Sequence, residues 1–232
     1  MSRVLVTRPH TDAARTAALI RAAGHEALVH PLMRIVPREG ALAGTVRADA
    51  LAVTSANGLR AYAAAGGPRL PVFAVGETSA AEAGTLGFEV AGTAEGDVRS
   101  LAGLIASASP GRVLHVSGAR AAGDLAGALA AAGVPCERAV LYDAVEADAL
   151  PGAATADIRR GLDWTMLHSP RSALLLTRLV RAAGLADAFR GVRLAALSPA
   201  VAEAAGLPFA ETRVAARPAS SALVDIVGAR DT

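Results

Sequence analysis

Hydroxyl-bearing residues gather at the turns where short apolar runs give way to alanine-rich stretches. Thr7 and Arg8; Thr54, Ser55 and Asn57; Gly76, Thr78 and Ser79; Ser117 and Gly118; Ser169 and Arg171; Ser198; and Ser220 with Ser221 all stand at such places. Where a strand leads into a helix, unpaired N–H groups and the positive end of the helix dipole point outward, and that environment holds anions. No carboxylate cluster accompanies these turns. Their chemistry is therefore that of gripping a flexible ligand with several negative groups, rather than running a proton relay. Each Ser or Thr alone is also an ordinary N-cap. Recurrence of the pattern in two copies of one repeat, described below, favours the binding reading.

Other chemistries fit less well. The stretch from Ser117 to Gly123 resembles half of a phosphate loop, but Asp124 and Leu125 occupy the places of the required Lys and Ser/Thr. No Gly-x-Gly-x-x-Gly follows an apolar run, and the Gly-x-Ser-x-Gly of a nucleophile elbow is missing. Cys136 is the single cysteine, which excludes an internal disulfide and a cysteine-rich zinc site. His25 and His30 lack helical ligand spacing, and the five histidines are read as packing and surface residues. With 3% aromatic residues, a stacking platform for single-stranded nucleic acid is not expected.

The net charge is only +2, and all 23 basic residues are arginine. Without lysine little titrates between histidine and tyrosine, so an alkaline isoelectric point signals no basic patch. No run of 18 apolar residues exists, and the opening apolar run is too short for a signal segment. The expectation is a cytoplasmic, soluble chain with neither membrane nor nucleic-acid partners.

The elements that must position these turns alternate between apolar runs and alanine/leucine-rich helical stretches, a pattern that yields a parallel sheet covered by helices. Strands are expected near 3–7, 26–30, 50–54, 71–75, 88–92, 112–116, 137–141, 163–168, 192–197 and 211–215. The first helix should run over about 11–23, with Thr11 or Asp12 as cap and Gly24 as terminator, a job Gly133 repeats later.

A repeat organises the alternation. Arg3-Val4-Leu5-Val6-Thr7, continuing to Gly24, echoes Arg112-Val113-Leu114-His115-Val116, continuing to Gly133, with one offset at both ends. A second echo pairs Val53-Thr54-Ser55-Ala56-Asn57 with Leu167-His168-Ser169-Pro170-Arg171, in the opposite order. One copy is therefore interrupted by the other. This predicts an α/β fold of two similar parallel-sheet lobes, one discontinuous, with a cleft between them. Lobe 1 covers about 1–32 and 150–232, and lobe 2 about 42–138. The segments 33–41 and 139–149 carry the crossings as a two-stranded antiparallel β linker acting as a hinge.

Val4-Leu5-Val6-Thr7-Arg8-Pro9, Val53-Thr54-Ser55-Ala56-Asn57-Gly58, Ala74-Val75-Gly76-Glu77-Thr78-Ser79-Ala80 and Ser169-Pro170-Arg171, in this order and spacing, resemble the uroporphyrinogen-III synthase family. The likeness spans essentially the full length. It implies two α/β domains joined by a β linker, with the N-terminal domain split. The implied activity is closure of hydroxymethylbilane, a linear tetrapyrrole, to uroporphyrinogen III and water, without cofactor or metal. Loss of the terminal hydroxyl gives an azafulvene, a spiro intermediate follows, and one ring is inverted. Tyr142 matches the family's candidate for assisting hydroxyl departure. The other turn residues named above, Ser221 excepted, become substrate contacts, in a monomer that receives its substrate from the upstream deaminase.

The chain departs from the family in two places. Leu197-Ser198-Pro199-Ala200-Val201-Ala202 stands where Ile-Gly-Pro-Thr-Thr-Ala is common, so two threonine hydroxyls are missing and Ser198 stands in for one. No basic residue precedes Gly118, which leaves Arg120 as an unaligned replacement. The alternative is a non-catalytic two-lobed module that clamps an anionic small molecule.

Overall fold

The structure, a computed structural model, describes residues 1–43, 47–121 and 123–229. Ala122, within the half phosphate loop, lies outside them. The chain opens with β1 (Arg3–Val6), α1 (His10–Ala22), β2 (Glu26–Val29) and β3 (Met33–Pro37). It continues through β4 (Ala50–Val53), α2 (Ala56–Ala64), β5 (Val72–Val75), α3 (Gly76–Thr85), β6 (Val90–Ala94) and α4 (Val98–Ala108). Then come β7 (Val113–Gly118), α5 (Leu125–Ala131), β8 (Cys136–Glu146), α6 (Gly152–Arg160) and β9 (Trp164–Leu167). Last are α7 (Pro170–Ala182), β10 (Arg193–Ala196), α8 (Pro199–Ala204), β11 (Glu211–Val214) and α9 (Ser220–Gly228).

Two compact units divide the chain, one of Met1–Arg34 and Val145–Thr232, the other of Ile35–Ala144. Both changeovers fall inside the segments assigned to the linker. The first unit's sheet runs β2-β1-β9-β10-β11, with all neighbouring strands parallel. The second runs β8-β7-β4-β5-β6, also parallel, with β3 added beside β8. The two orders correspond strand for strand. β1 holds the place of β7 and β9 that of β4, the strands that carried the two echoes. An interrupted copy rebuilds the same sheet because parallel neighbours are set by crossovers and side-chain fit, not by chain order.

Both sheets are buried on both faces. Val4 and Val6 join one apolar cluster while Leu5 joins another. Leu51 and Val53 likewise face one cluster, and Ala50 and Ala52 the opposite one. This period of two, apolar at every position, is what a helix-covered parallel strand requires. Gly58 lets α2 lie close on β7: a Cβ there would meet the Val116 carbonyl oxygen at 2.5 Å.

Three expectations are corrected. The strand at 137–141 and the linker stretch at 142–146 are one continuous strand, β8, because its alternation is never broken by Gly or Pro. Its far end pairs with β3, and the Arg38 N–H bonds to the Leu141 carbonyl at 2.8 Å. Helix α1 begins at His10 with Pro9 in the cap position and no side-chain cap. Thr11 and Asp12 fall inside the first turn, and Asp12 pairs instead with Arg8 at 3.3 Å. Helix α3 begins at Gly76, immediately after β5, so no residue of Gly76-Glu77-Thr78-Ser79 acts as a side-chain cap. Gly24 and Gly133 terminate their helices with φ of 81° and 73°, values that L side chains resist.

Candidate functional site

The unit of Ile35–Ala144 gathers polar groups at the carboxyl ends of β4 and β7. Ser55 caps α2, its Oγ accepting from the Asn57 N–H at 3.2 Å. Thr54 Oγ1 lies 3.1 Å from Nε2 of His115, a residue of β7 that is only 2% exposed. Burial, then the nearby Arg138 charge, lowers the His115 pKa to about 4. His115 is thus a neutral imidazole at physiological pH, able to exchange one hydrogen bond with Thr54.

Tyr142 reaches this edge through an irregularity. β7 and β8 pair in register from Val113 with Cys136 to Ser117 with Val140, then slip by one so that Gly118 stands opposite Tyr142. The phenol ring packs against Gly118, where a Cβ would approach the ring Cζ at 2.6 Å and the hydroxyl at 3.0 Å. The ring is 8% exposed, and its hydroxyl donates to Ser55 Oγ at 3.4 Å. Arg138 fastens the same turn: Nε donates to Ser117 Oγ at 2.9 Å, and Nη2 to the carbonyls of Gly118 at 2.7 Å and Ala119 at 2.9 Å.

Other predicted residues of this unit have different partners. Asn57 Oδ1 accepts from Arg60, which also forms a two-pronged ion pair with Glu82, a carboxylate only 2% exposed. Ser79 is buried within α3, and Thr78 is exposed one residue before it. A pocket of about 610 Å³ opens beside Thr54, lined also by Val75, Asp97, Arg99 and Asp124. Asp97 caps α4 through the N–H groups of Arg99 and Ser100, and Asp124 caps α5 through that of Gly127. These two helix starts are already closed by their own carboxylates, which makes them poor anion sites.

In the other unit, Thr7 is buried at the end of β1 and Arg8 follows it. Besides Asp12, Arg8 donates to Thr16 Oγ1 at 3.2 Å and Ser220 Oγ at 3.0 Å. His168 Nε2 lies 3.3 Å from the same Ser220 hydroxyl. Burial, then the charge of Arg8, holds the His168 imidazole well below its ordinary pKa. Ser169 caps α7 by accepting from the Ser172 N–H at 3.1 Å. Arg171 pairs with Glu146 at 2.8 Å, and Ser198 precedes α8 without a side-chain cap. Ser55 and Ser169, equivalent in the repeat, thus do the same structural work.

The structure brings Thr54, Ser55, Ser117, Gly118 and Tyr142 to one edge, and Arg8 with Ser220 to another. Sequence reasoning missed His115, Arg138, His168 and Thr16 as members of these networks. Arg138 carried a signal, standing four residues before Tyr142 on one strand. For the two buried histidines no local pattern existed. Among the described residues no group of three or more His, Cys, Asp or Glu is placed to hold a metal ion, and no helix is long and apolar enough to cross a membrane.

A family model described as uroporphyrinogen-III synthase HemD matches residues 14–225. The fold is similar to that of uroporphyrinogen-III synthetase from Helicobacter pylori, with a TM-score of 0.63 and 16% identity over 97% of each chain. It is also similar to a mutant uroporphyrinogen III synthase from Thermus thermophilus, with a TM-score of 0.57 and 18% identity over 98% of this chain and 97% of that one. At these identities the solved structures speak for the fold. No curated protein sequence matches.

Proposed function

The chain belongs to the uroporphyrinogen-III synthase family, and from that premise we propose a mechanism in which Tyr142 assists departure of the substrate's hydroxyl. Membership sets the function: the protein is an enzyme of tetrapyrrole biosynthesis that closes hydroxymethylbilane to uroporphyrinogen III, with inversion of the terminal ring and loss of water. A non-catalytic binding module is not favoured.

The observation that carries the Tyr142 reading is its hydroxyl at the carboxyl edge of β4 and β7, 3.4 Å from Ser55 Oγ at the start of α2. The phenol O–H can give its proton to the departing hydroxyl, which leaves as water while the adjoining pyrrole nitrogen supplies the electron pair that forms the azafulvene. Carbon–carbon bond formation then depends on holding the far ring in reach, a problem of proximity and orientation. The peripheral carboxylates of the bilane are natural partners for Thr54 and Ser55 at this edge, with fixed dipoles offsetting the charge that develops at the electrophile.

Elimination of water and ring closure leave the oxidation level unchanged, which supports classing the enzyme as a lyase that uses no redox cofactor. The free bilane closes by itself to the non-inverted isomer. That instability favours direct receipt from the upstream deaminase.

The test supplies bilane in situ from a deaminase and resolves product isomers chromatographically. Wild-type protein should divert product from isomer I to isomer III, and Tyr142→Phe should lower kcat about 100-fold, the lower end for a lost general acid. A Tyr142→Phe enzyme with unchanged kcat would remove Tyr142 from the chemistry, and isomer I from wild-type protein would remove the activity itself.

A further inference from the structure

The turn at the end of β7 has its polar groups already engaged. Ser117 Oγ accepts from Arg138 and lies 3.4 Å from the Ala139 carbonyl; the carbonyls of Gly118 and Ala119 accept from Arg138; and the Ala119 N–H donates to the Tyr142 carbonyl at 2.9 Å. A turn so occupied is a poor ligand for a substrate carboxylate. It is well suited to hold something still.

What it holds is the phenol ring. The register slip at Ser117/Gly118 aims Tyr142 at the one residue of β7 without a side chain, and the space left by the missing Cβ is the space the ring fills. Arg138 draws two consecutive carbonyls toward one guanidinium, which fixes the backbone under the ring at both Gly118 and Ala119. We propose that Gly118 and Arg138 are positioning residues that form a socket for Tyr142, rather than substrate contacts. The proposal rests on the reading that Tyr142 takes part in the chemistry.

A Cβ at Gly118 must displace the ring, because the opposing atoms are aromatic carbons 2.6 and 2.8 Å away in a buried strand pair. Arg138→Lys keeps the charge but offers a single ammonium in place of the fork that spans Ser117 Oγ and two carbonyls. Misplacement of a general acid by a fraction of an ångström lowers kcat while leaving carboxylate contacts elsewhere intact.

The experiment measures kcat and KM for isomer III formation in Gly118→Ala, Arg138→Met and Arg138→Lys, each alone and combined with Tyr142→Phe, with thermal melts to confirm folding. Gly118→Ala and Arg138→Met should each lower kcat about ten-fold with KM within about two-fold, and Arg138→Lys should recover part of the loss. In the Tyr142→Phe background all three should cost less than about two-fold more, since there is no hydroxyl left to position. Losses that multiply with Tyr142→Phe, or a raised KM at unchanged kcat, overturn the socket while leaving Tyr142 in place. An unchanged kcat in Tyr142→Phe alone overturns the underlying reading instead. If Gly118→Ala fails to fold, the Arg138 pair of variants decides the matter by the same criteria.

Discussion

Acid should weaken this protein through His115. The imidazole is 2% exposed in β7 and its pKa falls from 6.5 to about 4. In the unfolded chain the group binds a proton below about pH 6.5, while the folded chain resists one until about pH 4. Stability contributed by keeping His115 neutral is therefore fully present above pH 6.5 and is lost as pH falls toward 4. At 1.36 kcal/mol per pKa unit the full loss is about 3 kcal/mol, of which about 2 should appear between pH 7 and 4.5. The Arg138 charge, which disfavours protonation of the ring, stands beside it. His168, also held low, adds to the loss in the same direction. The assay is urea unfolding of wild type and His115→Gln from about pH 7 to about 4.5. The variant should be weaker at pH 7, having lost packing and the Thr54 contact, but the gap should close by about 2 kcal/mol on acidification. A gap that stays constant across the range would refute the assignment of a depressed histidine at this position.

Two further outcomes test the packing that carries the site. Glu82→Ala should cost about 3–5 kcal/mol in urea unfolding, because it strips a buried carboxylate from the Arg60 fork that also steadies Asn57; a loss under about 1 kcal/mol would show that the pair is solvated. Gly58→Ala should lower the melting temperature by several degrees, its Cβ forcing α2 away from the Val116 carbonyl, and an unchanged Tm would mean that helix and strand part without strain.

The repeat was legible from local pattern alone. Apolar runs placed the strands to within about two residues except β8, and the paired echoes of β1 with β7 and β4 with β9 predicted two similar parallel-sheet lobes, whose strand orders correspond. Terminators such as Gly24 and Gly133 were readable because a left-handed residue at a helix end is a local requirement. The family resemblance, too, rested on short motifs at strand ends.

Helix starts were less legible. Pro9 rather than Thr11 opens α1, and α3 follows β5 without any polar cap, since the tertiary packing of an apolar face supplies what a cap would have contributed. The acid caps at Asp97 and Asp124 went unread for a related reason. Their carboxylates accept from N–H groups two or three residues on, a local bond that a search for hydroxyl-bearing turns passes over.

The amino-acid sequence by itself determined the alternation of strand and helix, the interleaving of the two copies and the turns where hydroxyls stand, because each depends on residues near one another in the chain. Only the tertiary structure decided which of those hydroxyls are engaged and by whom. Ser220 meets Arg8 and His168, Thr54 meets His115, and Tyr142 meets Gly118 and Ser55 across long stretches of chain. Such partnerships follow from strand order and from a one-residue slip between β7 and β8, which settle only when both faces of the sheet are packed.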